Sequence, residues 1–219
     1  MIRRGLVLVT VAVALAAPGA RTLSAAESAR EEALAALADT RDVDNRRRGA
    51  VALAETGVMA DVPKLAAALR DDDPLVRKLA ERSMWEVWSR SGDAAVDRLL
   101  ASGIEQMSAR EGELAVQTFT EVIRRRPDFA EGWNKRATVY YLMGEYQKSL
   151  ADCDEVMKRN PYHFGALSGY GMIYLQLDQP AKALDYFQRA LKVNPNLDSI
   201  NETVEMIKPL LIQRRKDTI

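Results

Sequence analysis

The sequence predicts an all-α chain whose helices pair and stack into an α–α superhelical solenoid. Three observations point there. Pro127, Pro161 and Pro195 recur at a spacing of 34 residues, and a fixed period of that size marks stacked repeats. Laid over one another, the windows 96–129, 130–163 and 164–197 bring like residues into register. Upstream, Val76, Leu79, Ala80, Ser83, Met84, Val87 and Trp88 form one stripe at helical spacing.

Composition narrows the function classes before any motif is read. The chain has 219 residues, with 31 Lys+Arg balancing 31 Asp+Glu, and 47% of its residues are hydrophobic. That balance excludes a disordered or polytopic membrane chain and offers no electrostatic footprint for nucleic acid. One cysteine, Cys153, allows no intramolecular disulfide and no Cys-based zinc site, and one histidine, His163, leaves little for a His-centred catalytic group. The composition therefore implies no metal and no cofactor.

The first element reads as a targeting segment. Arg3 and Arg4 precede the apolar run Gly5–Ala17, too short to span a bilayer comfortably, and Pro18 and Gly19 then break its helix. Ser24 and Ala26 sit at the −3 and −1 positions of a signal-peptide cleavage after Ala26, with cleavage after Ala20 as the alternative. Residues 1–26 are thus a secretory signal, or else an uncleaved anchor, and the expected location is the periplasm or beyond. Its removal takes Arg3, Arg4 and Arg21 and no acid, leaving 28 basic against 31 acidic residues. No stable membrane span is expected after cleavage.

Residues 27–95 repeat at another period. Asp42–Arg46 aligns with Asp73–Arg77 at an offset of 31, and Gly49, Ala52 and Leu53 then match Ala80, Ser83 and Met84. Val62, Leu65, Ala66 and Leu69 stripe the shorter helix between. This segment is similar to short HEAT-like repeats. The resemblance implies that Asp and Arg at these positions bond to neighbouring turns, as Asp73 could with Arg77. Glu27–Thr40 is a candidate cap for the exposed end of the stack.

Residues 96–197 carry the 34-residue period. Their fourth positions are Leu99, Trp133 and Leu167, their eighth Gly103, Ala137 and Gly171, and their twentieth Ala115, Ser149 and Ala183. Large residues fill the gap between paired helices, and small ones sit where two backbones approach. The prolines stand just beyond the second helix of each pair, where Asn160 and Asn194 suit a left-handed helix end. The pattern resembles the tetratricopeptide repeat, best in Leu167, Tyr170-Gly171, Tyr174, Ala183, Phe187, Ala190 and Pro195. It departs at Gln106, where the family has an aromatic residue, and at Cys153, where the other windows have Phe119 and Phe187. No Pro/Gly/Ser-rich linker separates 27–95 from 96–197, which predicts one continuous stack. Residues 198–219 form a capping helix and tail. Asp198 or Ser199 caps it, Ile200, Val204, Ile207 and Leu211 stripe it, and Pro209 kinks it.

Side chains with chemical potential read mostly as structure. Cys153 falls at a packing position and reads as a buried thiol, and His163 as an ordinary turn residue. Arg46-Arg47-Arg48 reads as a solvated helix face, and Asp71-Asp72-Asp73 as a turn with capping acids. Trp85, Trp88 and Trp133 read as core, and Gly169-Tyr-Gly171 as close helix approach rather than a nucleotide loop.

What remains is a surface. The tetratricopeptide resemblance implies that the first helix of each repeat lines a concave groove. Its positions are Leu100, Ile104 and Met107, then Asn134, Thr138 and Tyr141, then Ser168, Met172 and Leu175. Places where relatives grip a peptide carboxylate hold Leu100, Ile104, Lys135, Gly165 and Gly169, with one base among them, so that clamp is not expected. The groove is either open or filled by the chain's own helices. The resulting expectation is a non-enzymatic envelope scaffold that binds an apolar or amphipathic segment of another protein. Homo-oligomeric self-association is the alternative, and a carboxylate enzyme acting on a small ligand is a distant third.

Overall fold

The computed structural model describes residues 18–216, with side chains over 25–213. The Arg3-Arg4 pair and the apolar run Gly5–Ala17 lie outside the described residues. Among the described residues there are eleven α-helices, one short 3-10 turn and no strand. The helices α1 (Pro18–Leu37), α2 (Val43–Thr56), α3 (Val62–Ala68) and α4 (Pro74–Trp88) come first. Three antiparallel pairs follow: α5 (Ala94–Ser108) with α6 (Gly112–Arg125), α7 (Ala130–Leu142) with α8 (Tyr146–Arg159), and α9 (Phe164–Gln176) with α10 (Pro180–Val193). The last helix, α11 (Asp198–Lys216), covers α10 and runs through Pro209. Pro18 is the first residue of α1, where a missing N–H costs nothing, so Ala26 lies inside a helix.

Acid caps and arginine pairs hold α1–α4 together. Asp42 and Asp73 precede α2 and α4 and accept backbone N–H groups of their first turns, at 2.8 Å from Asp44 and 2.9 Å from Val76. Arg46 and Arg47 are no solvated face. Arg46 Nε reaches Asp71 at 2.7 Å and Arg47 Nη2 reaches Asp73 at 2.6 Å, both as two-pronged pairs. Asp73 is therefore taken, and Arg77 donates instead to the carbonyls of Asp71 and Asp72. Beneath these pairs lie the buried Ala50, Leu53, Leu65, Leu69, Val76 and Met84.

Within the pairs, volume is matched across each interface. A Cβ at Gly103 would lie 2.5 Å from the Phe119 ring, and one at Gly171 would lie 2.3 Å from the Phe187 ring. The middle pair has Ala137 facing Cys153 in the same core cluster. Where the second helix carries Phe, the first has no side chain at all. Where it carries the smaller Cys, a methyl fits.

The turn inside each pair is left-handed at Arg110 (φ 63°), Gly144 (φ 76°) and Asp178 (φ 53°), which stand 34 residues apart. In each, the next residue's N–H crosses back five positions to a carbonyl: Glu111 to Gln106, Glu145 to Tyr140 and Gln179 to Tyr174. The turns between pairs differ from expectation. Asn160 (φ −141°) and Asn194 (φ −122°) are extended, not left-handed. The following proline pushes its predecessor out of the helical region, and the Asn side chain closes the turn instead. Asn160 Oδ1 accepts from the Tyr162 N–H at 3.2 Å, and Asn194 Oδ1 from the Asn196 N–H at 3.0 Å.

The first four helices do not continue their core into α5. Gly92 (φ 77°) turns the chain after α4, and the α1–α4 core closes instead on Phe164, with Val193 and Leu197 packed against it. Trp88 stacks on His163 at 4.5 Å between centroids, and Trp85 meets Phe164 edge-on at 5.4 Å. Asn196 Nδ2 donates to Leu69 O at 2.8 Å, tying the turn after α10 to α3. Trp85 and Trp88 thus bring two large aromatic surfaces at the end of α4 onto this corner.

Candidate functional site

Four of the nine expected groove residues come together. Asn134, Thr138 and Tyr141 of α7 and Met172 of α9 line one pocket of about 120 Å³, beside Gly165 and Gly169. That is room for about one side chain. Thr138 is exposed, as is Met172, and Tyr141 leans on Tyr146 with ring centroids 6.0 Å apart. Trp85 walls the pocket's end of α9: a Cβ on Gly165 would lie 2.7 Å from its ring. The α1–α4 unit thus reaches the groove without filling it.

The other five do not join this pocket. Leu100 is 4% exposed and lies in the α5–α6 core, so it is corrected from groove to packing. Ile104 and Met107 are half-buried against that same core, because the apolar stripe of α5 faces α6. Met107 also borders a separate cavity of about 510 Å³ with Arg110, Val139, Leu142 and Met143. Ser168 spends its hydroxyl on Phe164 O at 2.8 Å. Leu175 is covered by the α10–α11 cluster of Phe187, Val204 and Ile207, since α11 needs an apolar bed.

A buried charge cluster supports the pocket from behind. Glu131, at the start of α7, is 1% exposed, and His163 is fully buried. Glu131 Oε2 lies 3.0 Å from His163 Nε2 and 3.1 Å from Asn134 Nδ2, while Lys135 Nζ reaches Oε1 at 2.9 Å. His163 Nδ1 accepts the Ala166 N–H at 3.1 Å, which caps α9 and assigns the ring proton to Nε2, donated to Glu131. His163 is therefore no ordinary turn residue. It joins α7, α9 and Trp88. Burial pushes the Glu131 carboxyl up, but His163 and Lys135 together outweigh it and hold the group below the usual carboxylate range. Lys135, the one base at the carboxylate-gripping places, is spent on this pair. Sequence spacing hides the cluster, because residues 131 and 163 meet only after two helices intervene.

The chemistry candidates resolve as packing. Burial pushes the Cys153 thiol up to about 12, and its sulfur lines the pocket as an apolar atom. The buried carboxylates Asp61, Glu131 and Asp152 each face a basic partner, Arg30, Lys135 and Arg136 respectively. Trp133 is half-buried between the Arg136 and Arg159 guanidiniums, with its ring N–H on Pro127 O at 3.0 Å. Among the described residues, no three His, Cys, Asp or Glu side chains group as metal ligands. Among the described residues, no helix is long and apolar enough to cross a membrane.

Paired antiparallel helices with a recurring turn make an α-helical repeat architecture, here with a side-chain-sized surface pocket between α7 and α9. Residues 128–196, covering α7–α10, match the tetratricopeptide repeat family model. A tetratricopeptide-containing protein of Rhizobium etli is 33% identical over 128 residues, covering 58% of this chain and 63% of that protein. The Hsp70-Hsp90 organizing protein 1 of Glycine max is 27% identical over 51% of this chain, but only 20% of its own length is matched. Among solved structures, the Sgt2 tetratricopeptide domain of Aspergillus fumigatus aligns with a TM-score of 0.53 at 18% identity, over 57% of this chain and 83% of that one. The first tetratricopeptide domain of Spaghetti, bound to an HSP90 peptide, aligns at 0.51 with 19% identity, over 53% and 93%. These likenesses establish the fold.

Proposed function

We propose that the protein is a non-enzymatic scaffold of the cell envelope, which holds an apolar or amphipathic segment of a partner protein against α7 and α9. Residues 1–26 export it, 27–95 form HEAT-like helices, 96–197 form three tetratricopeptide repeats, and 198–219 cap them. The observation that carries this reading is the pocket between Asn134, Thr138, Tyr141 and Met172, open to solvent and sized for one side chain. The matching Gly–Phe pairs and left-handed turns support counting α5–α6 as a repeat of the same kind. The Hsp70-Hsp90 organizing relative and the peptide-bound neighbour support a peptide as the ligand class.

The test is selection from a displayed random-peptide library, followed by binding of the selected peptides to variants. Tyr141→Glu and Met172→Glu should each weaken binding about tenfold or more while the circular dichroism stays helical. Unchanged binding by both removes the groove. Export is tested by N-terminal sequencing of protein recovered from the envelope fraction, expected to begin at Glu27.

Self-association is the second reading, favoured by the outer face of α11. Met206 and Leu210 there are 63% and 59% exposed. Sedimentation should show a concentration-dependent dimer that Met206→Glu with Leu210→Glu abolishes. A monomer at every concentration ends this reading.

A further inference from the structure

A cleft of about 530 Å³ opens where α3 faces α8–α10, a corner that exists only because the first four helices fold onto the repeats. Its floor is apolar: Ala66 and Ala67 from α3, Met157 from α8, Leu167 from α9 and Val193 from α10. Its rim is basic, with Arg70, Arg189 and Lys192, and no carboxylate lines it. Among the described residues, neither Arg70 nor Lys192 has a carboxylate within ion-pair distance, and Arg189 has only a long pair. Arg70 is held in place by the Val193 carbonyl at 3.2 Å and by that of Lys192, which position the guanidinium without cancelling it. Arg189 lies over the Tyr186 ring at 4.6 Å, and its acid, Asp185, is 3.8 Å away and exposed. Tyr162 and Pro161 add exposed apolar surface at the mouth.

Three cations over a low-dielectric floor attract a carboxylate more strongly than the same cations on an open surface. A basic segment is repelled there, and a purely apolar one leaves the cations unmatched. We propose that this cleft docks an acidic segment of a partner protein, its carboxylates on Arg70, Arg189 and Lys192 and an apolar side chain on the floor. The site is separate from the α7–α9 pocket, so it stands or falls apart from the groove reading.

A fluorescein-labelled peptide of alternating Glu and Leu tests it by anisotropy against the full chain. A Lys-Leu peptide and a Glu-Ser peptide serve as controls, with laurate as a small amphipathic competitor. The Glu-Leu peptide should bind, and bind more weakly as salt rises. With the groove disabled by Tyr141→Glu and Met172→Glu, the background used for the peptide comparison, both control peptides should fail. Arg189→Glu with Lys192→Glu, both exposed, should cost about tenfold or more, and Lys192→Arg should retain binding. Tyr141→Glu and Met172→Glu should leave it unchanged. The inference is overturned if no binding occurs, or if the Lys-Leu peptide binds equally. It is also overturned if laurate binds this cleft and the peptide does not. Loss in the groove variants with none in the cleft variants would overturn it while leaving the groove reading standing.

Discussion

At the interface inside each helix pair, one side chain's volume is set by the residue opposite. Gly103 and Gly171 leave room for the rings of Phe119 and Phe187, while Ala137 fills part of that room and faces Cys153. The departure at Cys153 from its two counterparts is thus a matched exchange rather than a defect. Cys153→Phe alone should destabilise the protein by about 1–3 kcal/mol, because the ring meets the Ala137 methyl. Adding Ala137→Gly should recover most of that loss. Urea unfolding of the single and double variants measures the coupling, and additive effects would contradict the match. The components of this pattern are visible in the sequence as small residues at one register and large ones at another. Their pairing is not, since positions 16 residues apart touch only once the helices fold back.

The turns show how an element-level rule is met by unlike residues. The left-handed position inside each pair is occupied by Arg110, Gly144 and Asp178, of which glycine alone escapes the cost of a Cβ there. A Cβ added at Gly144 would meet no other residue's atom within 4 Å, its chain neighbours aside, so steric crowding by other residues plays no part. Gly144→Ala should therefore lower stability by about 1–2 kcal/mol through backbone strain alone, and Arg110→Gly should raise it by a smaller amount. Thermal unfolding of the two variants should shift in opposite directions. The proline turns follow a different rule. Pro127, Pro161 and Pro195 are plain in the sequence as punctuation. The extended backbone before them comes from proline's own steric demand, which overrides the left-handed preference of Asn160 and Asn194.

Across the whole molecule, arginine–carboxylate pairs join helices that are distant in sequence. Arg30 grips Asp61, Arg46 grips Asp71 and Arg47 grips Asp73. Each of these arginines holds its acid below the usual range, with Asp73 at about 2. Glu131 is held low in the corner between the repeats and α4. Lowered carboxylates stabilise the fold fully above their unfolded pKa, near 4. That contribution is lost as pH falls through the lower folded values. The melting temperature should therefore be flat from about pH 7 to 5 and fall between about pH 4 and 2. His163→Ala should weaken the protein even at neutral pH, by about 3 kcal/mol, because it leaves the buried Glu131 short of a donor. His163→Gln, which keeps an N–H at that reach, should cost less.

The sequence by itself determined the local and periodic features. The 34-residue period sets helix pairing, the apolar stripes set which face is buried, and capping acids and prolines set where helices stop. All of these depend on residues within one or two turns of each other, or on a repeat that copies itself. Only the tertiary structure decided the corner where Trp85 and Trp88 meet His163 and Phe164. That contact places α3 beside α10 and forms the basic cleft, while packing of α5 on α6 and of α11 on α10 takes Leu100 and Leu175 out of the groove. The physical reason is that burial is non-directional: an apolar face states that it must be covered, but not by which part of the chain.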